Sequence, residues 1–300
     1  VTDSPPPVTL RPPLGVMRPR SADEIPAPGS MSGGVQYTVK LDGFRALAFR
    51  LEGERVVLQS RSGRDLTRDF SEVAESLAEQ LPPGAVLDGE LCAYRDGRIS
   101  FTELLRSHAD RRRLGVPVSY IAFDLLAVPG RDLRALPLKD RWELLGTVLQ
   151  ESEPPLERVL ATSDESTAHV WFRDMRTVGV EGIVAKALNS PYRKGPTWSW
   201  RKIRHFETRD GVLLAVFGPP KRPHGLLVEL SDGRRVATSP RLTAVQSRQV
   251  AEVLVGRLGE QSTHPDHGAM TSLTEPLPVE LRESPGRHEA ARFVRVRSEG

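Results

Sequence analysis

The chain has 300 residues and a mass of 33.2 kDa, room for two ordinary domains or one large one. At 38% hydrophobic and 27% charged residues it can bury a core, which excludes a wholly disordered chain. Its net charge of +3 permits a nucleic-acid partner without demanding one, and the lack of a long apolar run makes a cytoplasmic protein the expectation.

In chain order, residues 1–34 are proline-rich, end in Gly33-Gly34, and read as an extended leader wrapping a domain or as a partly disordered tail. Apolar alternation predicts strands over 35–41 and 44–51, continued at 56–59 after a turn. Phe70, Val73, Leu77 and Leu81 recur at helical spacing and predict a helix over 69–81, stopped by Pro82-Pro83-Gly84. Residues 85–91 and Ile99 should form a hairpin around Asp96-Gly97. Cys92, the single cysteine, falls in an apolar run, reads as a buried thiol, and excludes both a disulfide framework and a cysteine-based zinc site.

Next come a short helix at 101–108, a basic loop at Arg111-Arg112-Arg113 and an apolar strand at 119–126. Helices at 138–150 and 167–178 and a buried strand at 182–187 follow. After residue 204 the texture shifts to short strands at 211–217, 225–230 and 234–238. A helix at about 243–258, a polar loop at 259–278 and a last strand at 293–297 complete the pass. The organisation is a leader over 1–34, a mixed α+β domain over 35–205 and a small β-rich domain over 206–300.

Of the 42 lysines and arginines, only Lys40, Lys139, Lys186, Lys194, Lys202 and Lys221 are lysine. Arginine cannot shed its proton to become a nucleophile, so the positions that kept lysine invite inspection. Lys40 opens the segment Lys40-Leu41-Asp42-Gly43-Phe44-Arg45. Residues two apart on a strand face one way, so Lys40 and Asp42 could share a pocket, with Gly43 admitting a bend or a ligand. An amine attacks only when neutral, a form that burial and neighbouring cations favour. Taken alone, so short a segment occurs often by chance and reads better as an exposed ion pair before a turn. The series that follows adds weight: Ser60-Arg61-Ser62-Gly63, Asp88-Gly89-Glu90, Phe123-Asp124, Glu181-Gly182-Ile183-Val184-Ala185-Lys186 and Trp200-Arg201-Lys202-Ile203-Arg204.

In that order these segments resemble the motif set of covalent nucleotidyltransferases, specifically ATP-dependent DNA ligases of the small bacterial type. The likeness runs from about residue 35 to 205, with a weaker tail to 297. It implies an α+β fold: a nucleotidyltransferase domain, ATP-grasp-like, of two antiparallel sheets with flanking helices, then a small β-barrel OB-fold domain. By the same resemblance Lys40 attacks the α-phosphate of ATP to become a lysyl-adenylate, and Arg45 helps hold the nucleotide. Arg61 would contact the sugar or the nick phosphate, Glu90 the ribose or a metal, and Phe123 would stack on adenine. Glu181 would coordinate metal, while Lys186 and Lys202 grip the α-phosphate. Carboxylate ligands suit Mg²⁺ or Mn²⁺ better than zinc, and point cations suit charge on non-bridging oxygens.

Two positions depart from the family pattern. Thr38 stands where these ligases often carry glutamate, and the fifth motif ends Lys202-Ile203-Arg204 rather than Lys-x-Lys. The last motif is expected between Arg287-His288 and Arg297, where a basic edge strand is an equal reading. The resemblance implies a monomer that seals 5′-phosphate/3′-hydroxyl nicks in double-stranded DNA, in repair or end joining, with Ku-like or polymerase partners. With Lys40 so near the start, no separate DNA-binding domain is expected ahead of it. The competing readings are an RNA ligase, a GTP-dependent capping-type enzyme, or a non-catalytic DNA-binding relative. The intact set Lys40, Glu90, Glu181, Lys186 and Lys202 argues against the last. His264-x-x-His267 lacks matching ligands and reads as loop, and Trp198 and Trp200 read as packing at the domain junction.

Overall fold

A computed structural model describes residues 9–53, 55–205, 207–239, 241–283 and 291–297. The chain divides into two compact units, Val1–Arg204 and His205–Gly300. In the first, chain order runs β1 (Met17–Ser21), β2 (Val35–Leu41), β3 (Phe44–Arg50), β4 (Val56–Ser60), α1 (Ser71–Gln80), β5 (Val86–Arg95) and β6 (Arg98–Ile99). It continues with α2 (Phe101–Leu104), α3 (His108–Arg113), β7 (Val118–Val128), β8 (Arg131–Asp132), α4 (Leu138–Val148), β9 (Leu156–Arg158) and β10 (Ala161–Thr162). Helix α5 (Glu165–Asp174) and strands β11 (Val180–Ala187) and β12 (Gly195–Arg204) close the unit.

Among the described residues these strands form two sheets. One is ordered β1-β12-β11-β2-β10; the other is β4-β3-β5-β7-β8, with β6 on β5 and β9 on β7. Most pairs are antiparallel, but β1 runs parallel to β12 and β9 parallel to β7. The sheets are therefore mixed, where antiparallel sheets were expected. Part of the proline-rich 1–34 segment is itself sheet. Pro19 sits in β1, an edge strand, where a proline without a donor N–H is tolerated.

Strand alternation sorts the side chains into layers. Ala46, Ala48, Leu87 and Leu91 pack against α1 through Val73 and Leu77. Leu47, Phe49 and Val86 turn the other way and meet Met17 and Trp200 from the first sheet. On the far side of that first sheet, Tyr37, Ile183, Ala185 and Ile203 pack under α5 around Ala168. Each fully buried aliphatic or aromatic side chain contributes roughly 1.5–3 kcal/mol, against about 0–1 for an exposed ion pair. Apolar layers thus hold the two sheets face to face, and the polar residues of the facing sides are gathered between them.

The expected basic loop at 111–113 is helical. Ser107 caps α3 by accepting from Asp110 N, and Arg111 turns inward at 2% exposure. Its guanidinium donates to the carbonyls of Leu104, Arg106 and Asp69, so it is spent on the fold.

The second unit contains β13 (Glu207–Phe217), β14 (Gly225–Leu230), β15 (Arg235–Ala237), α6 (Ala244–Val253), β16 (Leu258–His264), β17 (Gly268–Glu283) and β18 (Ala291–Val296). Its sheet is ordered β15-β14-β13-β17-β16, with β18 also on β17. Helix α6 starts with a reciprocal capping box between Thr243 and Gln246. The expected polar loop at 259–278 is instead the β16–β17 hairpin. Leu273 and Leu277 face the core, and the polar residues that suggested a loop belong largely to the exposed side. Arg287 and His288 lie outside the described residues. Arg295 pairs with Glu280 and Arg297 with Asp210, each at 2.7 Å. Among the described residues no helix is long and apolar enough to cross a membrane.

Candidate active site

β2 presents Gln36, Thr38 and Lys40 on one face. Its register with β11 sets them opposite Lys186, Val184 and Gly182, and β12 adds Trp200, Lys202 and Arg204. The facing side of the sheet is thus three rows: Gln36–Lys186–Trp200, Thr38–Val184–Lys202 and Lys40–Gly182–Arg204. The first row is fully buried, at 4%, 1% and 1% exposure, and the third is partly open.

A register shift between Val180 and Gly182 makes Glu181 the extra residue of a β-bulge. The bulge brings its carboxylate to Lys40: Nζ pairs with Glu181 Oε2, and Arg204 Nη2 approaches the same oxygen at 3.5 Å. Only glycine fits at 182, where φ is +153° and a Cβ would strike the Ile203 carbonyl. A Cβ at Gly43 would likewise strike the Leu91 carbonyl and the Glu90 side chain, so Gly43 lets the nucleophile's strand pass close to β5.

The opposing sheet supplies Arg45, Asp88, Glu90 and Phe123. Arg45 lies across from Glu90, and the register slips so that Asp88 pairs with Asp124 and Gly89 with Ala122. Phe123 is the extra residue of this second bulge. Arg45 donates to both Asp88 oxygens, at 2.9 and 2.6 Å, and the Tyr192 hydroxyl donates to Asp88 Oδ2 at 2.6 Å. Burial works against the Arg45 charge, but Asp88 outweighs it, and Arg45 holds its proton more tightly than an ordinary arginine.

Two groupings emerge. The outer one joins Lys40, Glu181 and Arg204, with Lys202 and Arg61 in electrostatic reach. Partial burial lowers the pKa of Lys202, and Arg204, Lys40 and Arg61 lower it further. The inner one joins Lys186, Phe123, Trp200, Arg45, Asp88 and Tyr192. Lys186 Nζ donates to the Phe123 carbonyl at 2.9 Å and sits 4.7 and 4.5 Å from the Phe123 and Trp200 ring centres. Burial brings its pKa down to about 8. Glu90 lies between the groupings; burial raises its pKa to about 7, Lys40 and Arg45 pull it back, and Glu181 and Asp88 add to the rise.

The expected residues are therefore gathered in one cleft but not around one point. Lys202 falls in the middle row, whereas Lys186 falls in the buried row beside Gln36. Trp200 is not junction packing: it is buried within the first unit against Phe123 and Tyr192, at 6.2 and 6.1 Å between ring centres. Trp198 is 56% exposed with Arg20 over its ring. Tyr192 joins the site without having been singled out, and Asp88 and Arg204, seen before only as members of motifs, join it with defined partners. The two-residue period of Trp200, Lys202 and Arg204 was the available signal. Glu90 and Glu181 offer hard oxygen donors, and among the described residues no group of three or more His, Cys, Asp and Glu converges. Two carboxylates suit an ion such as Mg²⁺, which fills its shell with water and phosphate and needs no protein cage.

Residues 27–204 match a family described as the ATP-dependent DNA ligase domain. DNA ligase C2 of Mycolicibacterium smegmatis is 34% identical over 208 residues, covering 67% of this chain and 56% of that protein. DNA ligase C of Mycobacterium tuberculosis is 32% identical over 214 residues, covering 68% and 58%. The chain thus spans little more than half the length of these relatives. The ligase domain of LigD from M. tuberculosis superimposes with a TM-score of 0.58 at 25% identity, over 95% of both chains.

Proposed function

Because the chain belongs to the ATP-dependent DNA ligase family, we propose that it seals 5′-phosphate/3′-hydroxyl nicks in duplex DNA through a lysyl-AMP on Lys40. The observation that supports this reading best is the outer grouping. An amine at the open end of the cleft touches a bulge-placed carboxylate and is flanked by Lys202, Arg204 and Arg61, cations suited to a polyphosphate. Lys40 leaves its ion pair and Nζ bonds to the α-phosphorus, the bond to the β-phosphate oxygen breaks, pyrophosphate departs, and the amine's proton passes to solvent. An oxygen of the DNA 5′-phosphate then takes the AMP from Nζ. Finally the 3′-hydroxyl oxygen attacks the 5′-phosphorus, releasing AMP and a proton.

Lys202, Lys186, Arg45 and Arg61 hold the nucleotide, and Phe123 packs on its base. Glu90 and Glu181 would hold Mg²⁺ or Mn²⁺, which when bound neutralises phosphate charge and favours ionised Glu90. The second unit is read as an OB-fold that contacts DNA. A cytoplasmic monomer acting in repair or end joining, with Ku-like or polymerase partners, completes the reading.

A nick-sealing assay tests it. Wild type with ATP and Mg²⁺ should join a nicked DNA duplex. Sealing confined to RNA, or driven by GTP rather than ATP, would sink the assignment.

A further inference from the structure

We infer that Gln36 reads the base of the bound nucleotide by accepting a hydrogen bond from the 6-amino group of adenine. This rests on the reading that Lys40 takes AMP from ATP. Gln36 is 4% exposed, and its buried Oε1 has no hydrogen-bond partner among the described residues. A buried acceptor stripped of water and given no donor carries the full cost of that loss, so such an atom calls for a partner, and a bound ligand can supply one.

Its place in the fold says what arrives. Gln36 lies four residues before Lys40 on β2 and on the same face, about 13 Å away along an extended strand. A nucleoside monophosphate attached to Nζ and lying along the strand would carry its base back toward that buried row. Two other polar groups there already donate to backbone carbonyls. The Thr38 hydroxyl donates to the Val184 carbonyl at 3.3 Å, and Lys186, which offers only donors, gives one N–H to the Phe123 carbonyl. The indole N–H of Trp200, two strands over in the same row, also has no partner among the described residues. The row therefore closes the cleft with unspent hydrogen-bonding capacity. Gln36 alone in it shares a strand with the nucleophile, which fixes its distance from the α-phosphate. An amide oxygen accepts from an amine and has nothing to offer a bare C6–H. Gln36 is thereby a specificity determinant for 6-aminopurines.

The test compares ATP with purine riboside triphosphate, which lacks only the 6-amino group, and with inosine triphosphate. Affinity is measured by calorimetry in EDTA, and adduct formation separately by intact mass with Mg²⁺. Wild type should bind ATP roughly tenfold to a hundredfold more tightly than purine riboside triphosphate, as expected for loss of one buried hydrogen bond. In Gln36→Leu that gap should shrink to within about threefold, checked against a second apolar variant, Gln36→Met, should the first not fold. Equal affinities in wild type, no binding of either, preference for inosine triphosphate, or full discrimination by a folded Gln36→Leu would each overturn the inference. Adduct formation is judged apart from this: its absence with every triphosphate overturns the lysyl-AMP reading, whatever the affinities.

Discussion

The outer and inner halves of the cleft are built from the same residue types and differ in what surrounds them. Outside, Lys40 and Glu181 pair at 18% and 16% side-chain exposure, with further cations within reach. Inside, Arg45 and Asp88 pair at 13% and 0%, locked by Tyr192 and roofed by aromatic rings. Behind them Arg141 and Asp124 pair with neither exposed. The outer charges pair with one another at the partly open end and can change partners when a polyphosphate enters. The inner charges are already paired or hydrogen-bonded and hold their neighbours in place, so the nucleotide meets them preset. Solvent access, rather than charge, separates chemistry from scaffold here.

That contrast can be broken by substitution. The largest effect is expected at Lys40→Arg, which keeps the cation and removes the nucleophile: labelling by ATP should fall by several orders of magnitude, with melting little changed. Asp88→Ala should do the reverse in kind. It leaves a buried guanidinium unpaired, at a cost of about 3–5 kcal/mol, and should lower the melting temperature by roughly 6–20 °C in calorimetry. A melting curve unmoved by Asp88→Ala would erase the distinction between the halves. Glu181→Gln should cost on the order of a hundredfold in sealing rate, while its ion pair, being partly exposed, is worth about 1 kcal/mol or less to the fold.

The smallest effect is in pH. Glu90 binds its proton more tightly in the fold than in the unfolded chain, with a native value of about 7 against 4.5. Between those values the folded state carries the extra proton, so stability should fall as pH rises from about 4.5 to 7. Lys186 adds the opposite slope at higher pH: with a native value of about 8 against 10.5, stability should rise across that window. Urea melts of wild type and Glu90→Gln measure the first of these, since the variant should lose the slope between about 4.5 and 7.

Much of the cleft was legible because its chemistry is written in adjacent residues: Lys40 with Asp42 and Gly43, Glu181 with Gly182, Phe123 with Asp124. What was not legible is register. Nothing in a two-residue period says which residue will be extra in a bulge, yet the bulges at Glu181 and Phe123 aim both side chains into the cleft. Nor does it say that Lys186 will stand beside Gln36, which depends on pairing two strands distant in sequence. Strand β1 was hidden by its proline, and β16 and the start of β17 by polar residues on their exposed side. Asp88 was visible only as part of a motif; its partner Tyr192 is 104 residues away.

The most direct test is peptide mapping after incubation with ATP and Mg²⁺. An added mass of roughly 330 Da, as expected of a covalent AMP adduct, should fall on the peptide containing Lys40 and be absent from Lys40→Arg. The same mass on the peptide carrying Lys186 would contradict the division of the cleft into a reactive outer half and a holding inner one, and the mass on the Lys202 peptide, or no adduct in wild type, would contradict Lys40 as the nucleophile.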